Sequence, residues 1–109
     1  MAVVTGKNQK TAEDIQVANS ILRQIGSLNW VSLDIDGGFI FVEDSGVSLR
    51  NVVVGRRKRG MIDIMVNPVT GFHDIKVTQF TERKGNKEIQ SWSDVPTSGI
   101  RRLLADLWM

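Results

Sequence analysis

Residues 52–66 read VVVGRRKRGMIDIMV: a β-branched run at 52–54 and an apolar run at 61–66, separated by Arg56, Arg57, Lys58 and Arg59 between Gly55 and Gly60. Ile62, Ile64 and Val66 recur with the two-residue period of a strand, and the glycines supply the conformational freedom of a turn. The stretch therefore predicts a β-hairpin with a cationic tip. Four like charges repel one another and contribute nothing to a core. The tip reads either as a solvated loop or as a docking surface for something anionic.

Working outward, further segments of strand character lie at 30–35, 39–42, 47–54 and 72–81. The turn residues between them are too closely spaced for crossover helices, which favours an antiparallel meander of about five strands. Asp36, Gly37 and Gly38 read as a first hairpin turn, Asp44, Ser45 and Gly46 as the second, and 67–71 as a proline and glycine turn. Upstream, Thr11 followed by Asp14 resembles a capping box, and Ile15, Ala18, Leu22 and Ile25 recur with helical period up to Gly26, predicting a helix over 12–25. Ile100, Leu103, Leu104 and Leu107 predict a closing helix over 97–108, preceded by a loop at 82–88. The fold class is α+β, an antiparallel sheet with an N-terminal and a C-terminal helix packed on it. Residues 1–109 form a single domain, with 1–10 a loose polar tail.

The chain has 109 residues, 41% of them hydrophobic, which suffices for a core without metal or disulfide staples. It has no cysteine, which excludes disulfides and thiolate chemistry. Neither a signal peptide nor an apolar run of about 20 residues is evident, so a cytoplasmic protein with no membrane partner is expected. The net charge of +2 conceals an asymmetry. Residues 1–49 carry three basic and six acidic side chains, a net −3, whereas residues 50–109 carry 11 basic and 6 acidic ones, a net +5. Such asymmetry between halves points to an anionic partner.

Parity within a meander turns this into geometry, because successive turns alternate between the two ends of the sheet. The loop after the 72–81 strand falls on the same end as the cationic tip, so Arg83, Lys84 and Lys87 are expected beside Arg56, Arg57, Lys58 and Arg59. The closing helix is expected to start from that end and to bring Arg101 and Arg102 with it. Arginine forks suit phosphate, and neutralising several phosphates gives salt-dependent binding. Trp92, just after Lys87, is the candidate for base stacking; the alternative is a ring covering the edge of the core. Trp30 and Trp108 read as core or core-edge residues. The paired aromatics of an RNA recognition motif are missing from the central strands.

Catalytic readings are weaker. Asp34, Ile35, Asp36, Gly37 and Gly38 resemble the opening of an aspartate phosphotransferase motif, but nothing else of that machinery fits in 109 residues. The same stretch starts like a calcium loop, yet Ser45 stands where a bidentate Glu is required. His73 is the only histidine and lies beside Asp74 on what is expected to be the opposite face of a strand, so the two form no dyad. No glycine-rich phosphate loop is present. The reading is of a non-enzyme without cofactor or metal.

Thr11 and Ala12, the run Ile21, Leu22, Arg23, Gln24, Ile25, Gly26, the strand Val77, Thr78, Gln79, Phe80 and a closing amphipathic helix together resemble small uncharacterised proteins encoded by phages and prophages. The basic insertion at 55–60 and Pro96 depart from that pattern. The resemblance implies a helix, sheet, helix domain in a viral or mobile-element setting, hence a bacterial host cytoplasm. The functional expectation is a small binding module that docks nucleic acid or nucleoprotein through its basic end. Two alternatives stand beside it: an inhibitor docking an acidic surface of a host or defence protein, and a homo-oligomeric accessory protein pairing through a strand edge or through Met61, Met65 and Phe72.

Overall fold

The computed structural model describes residues 3–5, 12–55, 58–81 and 85–109. Six strands form one sheet in chain order: β1 (Val3–Thr5), β2 (Phe39–Glu43), β3 (Gly46–Gly55), β4 (Lys58–Val66), β5 (His73–Gln79) and β6 (Lys87–Val95). From β2 to β6 every neighbour is antiparallel, a five-stranded meander as expected in kind, although the strand expected at 30–35 is absent and β6 takes a place that was not expected. β1 adds a sixth strand, parallel to β2, with Val3 opposite Phe39. Residues 3–5 thus belong to the sheet, where the sequence suggested only a loose tail.

A parallel pair needs a crossover, and the helical segment between β1 and β2 provides it. α1 (Ala12–Ile25) has Glu13 and Asp14 in its first turn and Arg23 in its last, both favourable to its dipole. It buries Ala18, Ile21 and Ile25, spaced three and four residues apart. Its bounds agree with the periodicity; the expected capping residue Thr11 lies outside the described residues. Gly26, at φ 90°, ends α1 and opens a second helix, α2 (Ser27–Ser32).

α2 replaces the strand expected at 30–35. Val31, Leu33 and Ile35 alternate with polar residues, but Val31 is exposed while Asn29 and Leu33, four apart, are buried. For so short a run the two periods are hard to distinguish, and tertiary contacts decide. The deciding contact is the Asn29 side chain. Its amide NH₂ donates to the Ile25 carbonyl at 2.7 Å and to the Arg101 carbonyl at 2.8 Å, while its oxygen accepts the Trp108 indole N–H at 2.6 Å. A 3-10 turn at Ile35–Gly37 follows, so Asp36, Gly37 and Gly38 lead into β2 without forming a hairpin.

Two apolar rows cross the sheet: Ile40, Leu49, Ile62 and Val77 stand opposite one another strand by strand, as do Val42, Val47, Ile64 and Ile75. All eight are buried, and with Ala18, Ile21, Ile25, Leu33, Ile35, Ile100 and Leu104 they form the core between sheet and helices. Each such side chain contributes about 1.5–3 kcal/mol by leaving water.

β6 is the strand that the sequence did not announce. It is an edge strand with mostly exposed residues, so hydrophobic alternation is absent from Lys87–Val95. Its presence reverses the chain once more before a 3-10 turn at Thr97–Gly99 and α3 (Ile100–Ala105). α3 is shorter than the expected 97–108, the remainder continuing as turns to Trp108.

Candidate functional site

The basic end of the sheet is built on strand register. β3 and β4 close with Gly55 opposite Lys58, while Gly60 stands opposite Gln79 of β5, which in turn stands opposite Lys87 of β6. The Phe80 N–H donates to the Arg59 carbonyl at 2.9 Å, extending the ladder beyond the strand. The residues flanking the two cationic runs, Gly55 and Lys58 on one side and Thr81 and Gly85 on the other, therefore emerge from the same end of the sheet. Thr81 and Gly85 are joined by a hydrogen bond from the threonine hydroxyl to the glycine carbonyl. Arg56, Arg57, Arg83 and Lys84 lie outside the described residues. Of the expected cations, Lys58, Arg59 and Lys87 are described at this end, all exposed.

Gly60 sets the geometry of the hairpin root. A Cβ there would stand 1.8 Å from the Thr78 carbonyl oxygen, so only glycine lets β4 approach β5 this closely. Arg59 reaches across β3: one guanidinium N–H donates to the Asn51 carbonyl at 3.0 Å and another to the Asp34 carboxylate at 2.6 Å. Asn51, at φ 57°, is the extra residue of a bulge between Arg50 and Val52. Past the bulge, the Val53 N–H donates to the Leu33 carbonyl at 2.8 Å, so the segment after α2 covers the edge of β3. Arg59 is thereby a tie between hairpin and helical layer, whereas Lys58 forms no such contact among the described residues.

The remaining sequence-derived candidates lie elsewhere. Trp92 stands opposite Ile75 and packs half-buried against the core, five residues along β6 from Lys87, about 17 Å at strand rise. The structure places it as a core-edge ring, the second of the two readings. Arg101 and Arg102 correct the parity argument, because the unforeseen β6 returns the chain to the opposite end before α3 begins. There Val95 stands opposite His73, and His73 opposite Val66. Both arginines line a groove between α2 and α3. Of the proposed oligomer residues, Met61 and Met65 are half-buried and Phe72 is exposed.

The acidic stretch before β2 is structurally committed. Asp34 holds Arg59, and Asp36 accepts the Trp30 indole N–H at 2.9 Å. Among the described residues no group of three or more His, Asp or Glu side chains could hold a metal ion. His73 is buried, with Nδ1 3.3 Å from the Val95 carbonyl oxygen, while Asp74 is exposed and accepts the Asp94 backbone N–H at 3.2 Å. No helix among the described residues is long and apolar enough to cross a membrane. Comparison of the chain with protein-family models, with curated proteins and with solved structures gave no match.

Proposed function

We propose that this protein is a small non-enzymatic module that binds nucleic acid through the basic end of its sheet, in keeping with the phage-like setting that the resemblance implies. The observation that supports the reading is the register Gly60, Gln79, Lys87, which brings the roots of two cationic chain segments to one end. Within the sequence these segments carry Arg56, Arg57, Lys58, Arg83, Lys84 and Lys87, and only Glu82 and Glu88 among them oppose their charge. A sheet end from which two basic chain segments depart suits a phosphate backbone, where affinity comes from charge neutralisation and released counterions. Arg59 contributes by holding the hairpin root.

The test is a titration of DNA and RNA oligonucleotides at two salt concentrations, with the chain intact and with Arg56, Arg57 and Lys58 replaced by alanine while Arg59 is retained. Each lost phosphate contact removes about 0.7–0.9 from the slope of log affinity against log salt, so the triple variant is expected to flatten it by about 2. No binding at low salt, or an unchanged slope in the variant, rules the reading out. Retention of a partner protein after nuclease treatment would instead favour an acidic protein surface as the target.

A further inference from the structure

The groove between α2 and α3 is independent of the basic end and has a different chemistry. It encloses about 500 Å³, within the size range of small-molecule sites. Its apolar lining comes from Leu28, Ala105, Trp108 and Met109, of which Leu28 is 73% and Met109 86% exposed. Arg101 and Arg102 are the charged side chains of its lining, and Arg102 also lines the adjoining groove that holds Asp94 and Asp106. Among the described residues neither guanidinium forms an ion pair or hydrogen bond.

These features are held in place. Asn29 binds the Arg101 carbonyl and the Trp108 indole together, fixing the backbone of α3 and one wall of the groove against α2. The Arg101 side chain passes so close to Gly26 that a Cβ at that glycine would lie 2.7 Å from Nε. An apolar surface with two guanidinium groups that form no ion pair among the described residues is complementary to a ligand that joins an apolar body to an anionic head. The apolar lining disfavours a sugar or nucleotide, whereas an alkyl chain is favoured by each methylene it buries.

We propose that the α2–α3 groove is a binding site for a medium-chain carboxylate, its tail on Leu28, Ala105 and Trp108 and its head on Arg101 and Arg102. The experiment uses the ¹⁵N-labelled full chain titrated with sodium dodecanoate below its micelle-forming concentration, following backbone and indole N–H signals. Saturable shifts are expected in α2, in α3 and at the Trp108 indole. Dodecyltrimethylammonium, which has the same tail and the opposite charge, is expected to bind there at least ten-fold more weakly. Replacing Arg101 and Arg102 together by glutamate is expected to weaken dodecanoate at least ten-fold, since charge-assisted hydrogen bonds are lost and like charges introduced. Leu28→Asp, at an exposed position, is expected to weaken it similarly without disturbing the fold. The proposal is overturned if no saturable shift occurs in the groove, if the ammonium amphiphile binds equally well, or if folded variants keep the affinity of the parent chain.

Discussion

Arg59 and Asp34 meet at 2.6 Å across the edge of β3, joining a strand residue of the cationic hairpin to the turn that leaves α2. Both side chains are nearly half exposed, at 46% and 44%, so water screens the attraction. The pair selects one arrangement of turn and hairpin more than it stabilises the domain. In a double-mutant cycle with Asp34→Ala and Arg59→Ala, the coupling measured by chemical denaturation is expected to be about 0.5–1 kcal/mol and to fall at high salt. A coupling several times larger, or indifferent to salt, would show that the pair acts as a buried one.

Gly60→Ala tests the hairpin root. The new methyl would collide with a backbone carbonyl oxygen, which cannot move without disturbing the β4–β5 ladder. A loss of about 3 kcal/mol or more is expected in urea unfolding, in the upper range for overpacking. Gly85→Ala provides the contrast, since nothing lies within 4 Å of the added Cβ and only the backbone at φ +72 resists. Its expected cost is about 1 kcal/mol.

Asn29→Ala leaves two carbonyls and an indole N–H without their partner. The bond to the Ile25 carbonyl is buried and the other two are part-buried, and a buried group so abandoned costs about 1–3 kcal/mol, so a total loss near 3 kcal/mol is expected with solvent replacing part of the network. Trp108→Phe removes only one of the three bonds and is expected to cost less. Equal losses for the two variants would mean that the indole packing dominates.

Trp92→Ala and Lys58→Ala separate stability from binding. Trp92 packs on the core, so truncation is expected to cost about 2–4 kcal/mol of stability while leaving the salt dependence of nucleic-acid binding unchanged. Lys58 is exposed, and its removal is expected to lower the salt slope by nearly one contact with a stability change below about 0.5 kcal/mol. A tryptophan variant that remains folded but loses a salt-independent part of its affinity would restore the base-stacking role.

The parts of the fold that could be read from the chain are those in which burial imposes a period. α1 shows its buried stripe at Ala18, Ile21 and Ile25, and β4 shows Ile62 and Ile64 between partly exposed neighbours. β6 has only Val95 fully buried, so it leaves no such imprint. The segment closing α2 has an imprint that points the wrong way, because Leu33 and Ile35 are buried as a strand's alternate residues would be, though they sit at the C-cap of α2 and in the following 3-10 turn. Missing one strand reversed the direction of everything after it, which is why Lys87 falls where parity put it and Arg101 and Arg102 do not. The role of Arg59 was illegible for another reason: its partner Asp34 is distant in sequence, and only the bulge at Asn51 opens the route between them.

The chain-order sheet has a kinetic consequence. Each antiparallel pair from β2 to β6 is closed by a short connection, so its loop-closure entropy is small and the meander can grow by adding adjacent hairpins. β1 is different, since α1 and α2 separate it in the chain from its partner β2. It is also the shortest strand, at three residues. Its pairing is expected to form last and to open first, and amide exchange on β2 facing β1 should proceed through a partial opening that leaves the β3–β5 amides protected. A uniform exchange rate across the sheet would show instead that the six strands open as one unit.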